Sequence, residues 1–413
     1  MGNIVIVGAG QAGLSAAEAL RSGGFQGSID LLSDEPYGPY HRPPLSKAWM
    51  AGEMDSAQLA MRAPEMLARK NIVLHSGSAV TRVDRAQQRV VMADGSSVPY
   101  TGLVLATGSS PRRLSLPGMD AAGVFVLRSR DDAQSIAQHM ERCIEQQREL
   151  IVIGGGFIGL EVAATARKKG LAVTVLEAAP RLLGRVLAPV LSDWYARLHR
   201  DHGVKLVLDA RIDRLETGPD GTVSAVRMAD GTQHEAGLVV VGVGVAANDQ
   251  LAVDAGLACD RGIVVDACGR TSDPLITAAG DCTARRMADG TLLRLESVQN
   301  ATEQGKSAAA ALLGVDRPFT ATPWFWSDQY DKKLQMAGLS MGANAWAVRG
   351  DMGVGASFSV FHFKSGSLLA VDSVNASRDH LQARKLIDAG LSPAKAQVED
   401  LSFDLASLLQ GAH

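Results

Sequence analysis

The 413-residue chain carries 41 Lys and Arg against 44 Asp and Glu, a net charge of −3, with 46% hydrophobic residues. Its length exceeds what one core supports and calls for two or three domains, and the near-neutral balance argues against a nucleic-acid binder. No apolar run reaches the roughly 18 to 20 residues of a membrane span, and no charged leader precedes the first strand, so a soluble, non-secreted, cytoplasmic protein is expected. The opening Met-Gly-Asn is not a myristoylation signal, since Ile6 stands where Ser or Thr is needed. Cys143, Cys259, Cys268 and Cys282 show neither a C-x-x-C pair nor metal-ligand spacing. Small packing residues and no metal are expected.

The first predicted element is Ile4 to Gly13, IVIVGAGQAG, an apolar strand that turns into a helix through Gly8, Gly10 and Gly13. The first glycine permits a tight turn, the second lets a pyrophosphate approach the backbone, and the third lets helix and strand pack closely. Alone this pattern is weak and also fits a structural turn. Context strengthens it: a helical stretch follows, then the apolar run Ile29 to Leu32, then Asp34 about where a ribose-binding acid belongs.

Next comes EPYGPYHRPPLSKAWM, a proline-rich ordered loop leading into a helix near Leu45 and holding Ser46 and Lys47 at its first turn. Strands are predicted at Asn71 to Leu74, Ala79 to Val83 and Arg89 to Met92, the last before an Asp94-Gly95 turn. LVLATGSSPR then reads as a strand whose end, Thr107-Gly108, is small enough to cross close beneath a ligand, though an ordinary turn fits too.

A linker and a helix over about Asp131 to Arg148 lead to a second glycine turn, IVIGGGFIG, with Gly154, Gly156 and Gly159 at the spacing of the first and Glu177 at the end of the following strand. Two such turns imply two dinucleotides, and the pair is far more specific than either member. Gly237 to Gly244 is again an apolar strand into glycine. In TSDPLITAAGDC, Gly280-Asp281 offers an acceptor for a polyol hydroxyl, or equally an N-cap for a following helix. ESVQNATEQ starts a helix with Val298 near its beginning, and PWFWSDQY, FSVFHF and LLAVDSV read as strands of a separate α+β domain.

IVIVGAGQAG, RPPLSK, LVLATG, IGGGFIGLEVAATA, TSDPLITAAGDC, LESVQNA and PWFWSDQY, in this order over nearly the whole chain, resemble the FAD-dependent, NADH-linked ferredoxin reductases of bacterial oxygenase systems, the putidaredoxin reductase-like family. The resemblance implies an α/β fold with two Rossmann-like dinucleotide-binding domains, glutathione-reductase-like, plus a C-terminal α+β domain. It divides the chain into an FAD domain over 1–112 and 244–322, an NADH domain over 113–243 and a C-terminal domain over 323–413. It implies FAD contacts at Ala12, Asp34, Lys47, Val80, Arg128, Asp281 and Val298. Glu177 would hold the adenine ribose and repel a 2′-phosphate, favouring NADH, with Arg181 and Arg185 close by in sequence. Glu161 would lie near the nicotinamide and pair with Lys47. The chain departs from the family pattern at Ala246-Ala247-Asn248 and at Gln299, neither of which alters a group the chemistry needs.

The expected activity is hydride transfer from NADH to flavin N5, then single-electron transfer to an external [2Fe-2S] ferredoxin that serves a cytochrome P-450 monooxygenase rather than a ring-hydroxylating dioxygenase. Trp326 would mark the electron exit, and Arg62, Lys306, Lys332 and Lys333 would steer an acidic ferredoxin. Two other readings are weighed. An NADH oxidase or peroxidase needs a redox cysteine beside the flavin, and the segment Tyr37 to Lys47 holds none. An NADH sensor like apoptosis-inducing factor needs a targeting segment and a C-terminal insertion that are not seen.

Overall fold

The computed structural model describes residues 2–353 and 355–410. The chain forms two compact units, one of residues 1–41, 55–110 and 245–321, the other of residues 42–54, 111–244 and 322–413.

In the first unit, five parallel strands lie in the order Ile276–Ala278, Gly102–Leu105, Asn3–Val7, Ser28–Leu32, Ile72–His75. Asn3–Val7 is central, and Val5 and Ile6 are wholly buried, as a parallel strand covered on both faces must be. The helices Gln11–Ser22 and Val298–Leu312 pack on one face. Their approach is close because both are lined with small residues: a Cβ on Gly305 would lie 2.5 Å from the Ala12 carbonyl oxygen. A three-stranded antiparallel sheet, Val80–Asp84, Arg89–Met92 and Ser97–Pro99, also belongs to this unit.

The second unit repeats the plan and adds a third layer system. Its parallel sheet runs Lys205–Val207, Val173–Leu176, Leu150–Ile153, Leu238–Val241, Val124–Val126. Residues 324–374 form a separate five-stranded antiparallel sheet, Trp324–Gln329, Lys332–Gly338, Ser367–Val374, Ser357–Lys364, Ala345–Asp351 in spatial order. One face of this sheet, through Ala337, Phe361, Phe363 and Val371, packs with Ala383 and Leu386 of the helix Ser377–Asp388. Two doubly wound parallel sheets and a C-terminal α+β sheet are the architecture read from the sequence.

Two local expectations are corrected. The helix expected near Leu45 is a 3-10 turn over Pro43–Ser46 followed by one helical turn, Ala48–Ala51; Lys47 between them has φ −127° and ψ −114°, outside the helical region, so the two turns do not join into one helix. Asp281 caps no helix, because the chain continues into the strand Thr283–Arg286, and the next long helix is capped by the Ser297 hydroxyl. Among the described residues, no helix is long and apolar enough to cross a membrane.

Candidate active site

In the first unit the glycine turn is shaped by what each glycine excludes. Gly8 has φ +107°, and a Cβ on it would lie 2.2 Å from the Ala106 carbonyl oxygen. A Cβ on Gly13 would lie 1.8 Å from the Gly8 oxygen, whereas one on Gly10 would meet nothing within 4 Å. The first and third glycines are therefore required by the protein itself, and the second faces open space. The helix Gln11–Ser22 starts at Gly10 with no side-chain cap and no acid in its first turn, so its leading N–H groups are presented to an incoming anion.

Other candidates gather round this turn. Thr107-Gly108 follows the crossing at Ala106 and is pinned by Asn248, whose side-chain nitrogen donates to the Thr107 carbonyl at 3.0 Å and whose amide donates to the Gly108 carbonyl at 3.0 Å. A Cβ on Gly280, φ +85°, would sit 3.0 Å from the Ala12 Cβ, which brings Gly280-Asp281 onto the start of the first helix. Asp281 accepts from the Ser109 hydroxyl at 3.0 Å. Val298 is the first residue of its helix. Gln304, missed in the sequence, fixes this corner: its Oε1 accepts from the Gly280 amide at 2.8 Å, the Thr283 hydroxyl at 2.9 Å and Asn300 Nδ2 at 3.2 Å. No sequence motif marks an amide acceptor shared by three donors.

At the far end of the turn the structure is less regular. Leu32 and Leu176 occupy matching places, each accepting from the first glycine of its turn at 2.8 Å. Ser33, not Asp34, therefore holds in the first unit the place that Glu177 holds in the second. Asp34 is exposed one residue further on, and the neighbouring Glu35 accepts from the Tyr40 hydroxyl. The segment before Val80 is tied to this strand end through the Ser78 amide, which donates to the Ser33 carbonyl at 2.6 Å.

The second unit builds the same device. Gly154 has φ +109°, and its Cβ would lie 2.4 Å from the Gly242 oxygen; a Cβ on Gly159 would lie 2.2 Å from the Gly154 oxygen. Gly156 has only that Gly242 oxygen at 4.0 Å, and the helix Phe157–Lys168 begins there uncapped. Glu177 accepts from the Gly155 amide at 2.6 Å and the Ala179 amide at 2.7 Å.

Within this unit the sequence-predicted pair Lys47 and Glu161 meets. Lys47 Nζ stands 2.6 Å from Glu161 Oε2, with the lysine side chain 20% and the glutamate side chain 3% exposed. Glu161 also accepts from the Ser46 hydroxyl at 2.6 Å and the Ser327 hydroxyl at 2.7 Å. Lys47 donates further to the Pro43 carbonyl, and Thr165 bonds the Ser46 carbonyl at 2.7 Å. The proline turn thus aims Ser46 and Lys47 at one buried acid on the helix Phe157–Lys168, which explains why residues 42–54 group with this unit.

Residues 2–305 match the family model described as pyridine nucleotide-disulphide oxidoreductase, and residues 324–409 match the one described as reductase C-terminal. The chain belongs to the pyridine nucleotide-disulphide oxidoreductase family. It is 45% identical over 404 residues to rhodocoxin reductase of Rhodococcus erythropolis, covering 98% of this chain and 93% of that protein. Its structure is similar to that of the covalent putidaredoxin reductase–putidaredoxin complex, with a TM-score of 0.94 and 41% identity over 100% of this chain and 99% of that one. It is equally similar, at 0.94 and 39% with both chains covered at 100%, to the ferredoxin reductase for the CYP199A2 system from Rhodopseudomonas palustris.

Membership of this pyridine nucleotide-disulphide oxidoreductase family gives FAD and NAD(H) as the cofactors, and the residues fit them. Gly10 and Gly156 each leave open space before an uncapped helix start, room that a pyrophosphate needs and that a larger side chain would occupy. The enzyme is a flavoprotein oxidoreductase of the ferredoxin-reductase kind.

The remaining candidates are dispersed. Arg128 lies in the second unit, where its carbonyl accepts from Arg42 Nη1 at 2.8 Å and its amide bonds Asp132 at 2.9 Å. Trp326 neighbours Ser327 on Trp324–Gln329, and strand alternation puts their side chains on opposite faces; its ring packs near Trp324, 5.4 Å between centroids. Of the four steering cations, Arg62 pairs with Glu18, Lys306 with Glu303 and Lys332 with Asp331, and Lys332 is only 11% exposed. Lys333 is exposed.

Proposed function

We propose that the protein passes electrons from NADH through FAD to a [2Fe-2S] ferredoxin, which feeds a cytochrome P-450 monooxygenase in the cytoplasm. The overall change is NADH plus two oxidised ferredoxins giving NAD⁺, a proton and two reduced ferredoxins. The observation that carries this reading is the pair of open glycine cradles combined with a proline turn, Tyr37 to Lys47, that offers Lys47 and no cysteine. Of the four thiols, Cys143, Cys268 and Cys282 are buried, and Cys259 is held above its ordinary value, at about 11, by burial first and then by Asp249. None lies in the Tyr37 to Lys47 turn, which disfavours the peroxidase and disulfide-reductase alternatives.

FAD, when bound, accepts a hydride and releases electrons singly. Gly10 and Gly156 admit the two pyrophosphates to uncapped helix starts. Glu177 takes the adenine ribose of NADH, and Glu161 attends the nicotinamide while holding Lys47 towards the flavin. Asp34, Val80, Arg128, Asp281 and Val298 complete the FAD contacts carried by the resemblance. Trp326 serves the exit, and exposed Lys333 steers better than the three ion-paired cations, whose fields are partly cancelled. SDPLI, PWFWSDQY and the likeness to the reductase for the CYP199A2 system support the P-450 assignment.

The test is steady-state reduction of cytochrome c by NADH with and without a panel of [2Fe-2S] ferredoxins, repeated across salt concentrations. A many-fold rise with one ferredoxin, weakened by salt, is expected. No response to any ferredoxin, with rapid NADH consumption by oxygen or peroxide, would instead favour the oxidase.

A further inference from the structure

Glu161 fixes the direction of every hydrogen bond behind it. An ionised carboxylate only accepts, so Glu161 Oε1 takes the proton of the Ser327 hydroxyl at 2.7 Å. A hydroxyl has one proton, so Ser327 Oγ must accept from Gln329, whose Nε2 is 3.2 Å away. Gln329 then turns its carbonyl oxygen to His199 Nε2 at 2.8 Å, and that nitrogen must carry the ring proton. Nδ1 is left to accept from the Tyr330 hydroxyl at 3.1 Å. All four donors point one way, from Tyr330 to Glu161.

The surroundings agree with this assignment. His199 is wholly buried, and burial pushes its imidazole down to about 4, so the ring is neutral with a single proton at neutral pH. Burial also holds the Tyr330 phenol above its ordinary value, keeping it a donor. Tyr330 is stacked on His202, with centroids 3.7 Å apart and 15° between planes, and it has φ +57°, which is uncommon for a bulky residue. Bonds aligned head to tail polarise one another and bring their positive ends towards the carboxylate.

We propose that Ser327, Gln329 and His199 are positioning residues acting through Glu161: the one-way chain from Tyr330 holds the carboxylate as a fixed acceptor for Lys47 and Ser46. The strand of the C-terminal sheet thereby sets the geometry of the acid on the Phe157–Lys168 helix. The consequence for turnover rests on the reading that Glu161 attends hydride transfer.

The direct test is the tautomer of His199 in the ¹⁵N-histidine-labelled holoenzyme, its signal assigned by comparison with His199→Asn. At pH 7 a neutral ring protonated at Nε2 is expected; a ring protonated at Nδ1, or a cationic one, overturns the chain. In stopped flow, Ser327→Ala is expected to lower the rate constant of flavin reduction at saturating NADH about tenfold, with the NADH dissociation constant unchanged and Ser327→Thr restoring the rate to within about twofold. A wild-type rate in Ser327→Ala overturns the positioning role, as does an equal loss in Ser327→Thr. Glu161→Gln is measured alongside: if it too reacts at the wild-type rate, the fault lies with the role given to Glu161. Because no ferredoxin is present, neither outcome depends on the electron acceptor.

Discussion

The Glu177 carboxylate accepts a 2.6 Å hydrogen bond from the Gly155 amide, which ties the acid ending one strand to the turn that starts the neighbouring helix. Its second oxygen is held by the Ala179 amide. Both contacts fix the carboxylate at the strand end, which is where the proposed NADH site would bring a 2′-phosphate. The Arg181 guanidinium is tied to its own segment, donating to the Leu187 and Gly184 carbonyls and the Ser192 hydroxyl.

A like charge at close range costs several kcal/mol, so kcat/KM for NADH is expected to exceed that for NADPH about a hundredfold, and Glu177→Ala to narrow the ratio about tenfold. Steady-state kinetics with both nucleotides check this. An unchanged ratio would release Glu177 from the role.

The glycines of the first turn separate folding from binding. Gly13→Ala forces a Cβ to 1.8 Å from the Gly8 oxygen, and a loss of about 3 kcal/mol or an insoluble product is expected. Gly10→Ala, with φ −76° and nothing within 4 Å, should leave the apoprotein within about 1 kcal/mol of wild type while lowering flavin content per chain. Urea unfolding and flavin absorbance measure the two effects separately.

The sequence made both turns legible because part of their glycine spacing is dictated by local contacts: Gly13 against the Gly8 oxygen, Gly159 against the Gly154 oxygen. The parallel strands were readable for the same kind of reason, as short β-branched runs buried on both faces. What stayed hidden depends on long-range pairing. Asp34 fits the spacing of a ribose acid, yet only the hydrogen bond from Gly8 to Leu32 reveals that Ser33 is the counterpart of Glu177. Likewise Ser327 in PWFWSDQY looks like a lone polar residue among aromatics, and no periodicity announces its bond to a helix 166 residues earlier. The meeting of Lys47 and Glu161 came from the family resemblance and not from spacing.

Two buried histidines set an acid limit on stability. Burial pushes His199 to about 4, and burial, with Arg384 and Lys333 nearby, does the same to His380, from an ordinary 6.5. Because the folded values are depressed, the unfolded chain binds more protons between these limits. Stability is full above about pH 6.5 and falls as pH drops towards 4, by up to about 1.4 kcal/mol per pH unit for each histidine. Urea midpoints at pH 7.5 and 5 should show the fall, and His380→Gln should flatten it.

Trp326→Ala is expected to slow ferredoxin reduction about tenfold or more while changing flavin reduction by NADH less than about twofold. Its side chain lies on the face of the strand opposite Ser327, so the Glu161 contact survives its loss. Equal slowing of both half-reactions in stopped flow would take Trp326 off the exit route.

The central claim is that one chain accepts a two-electron donor and releases the electrons singly to an iron–sulfur protein. An anaerobic titration tests this most directly: the purified yellow protein is bleached with NADH, and its absorbance is then followed as an oxidised [2Fe-2S] ferredoxin from the panel is added. The account predicts bleaching by one equivalent of NADH per flavin and recovery of the colour with two equivalents of a matched ferredoxin. Colour that returns only with oxygen or peroxide, and with no ferredoxin, would contradict it.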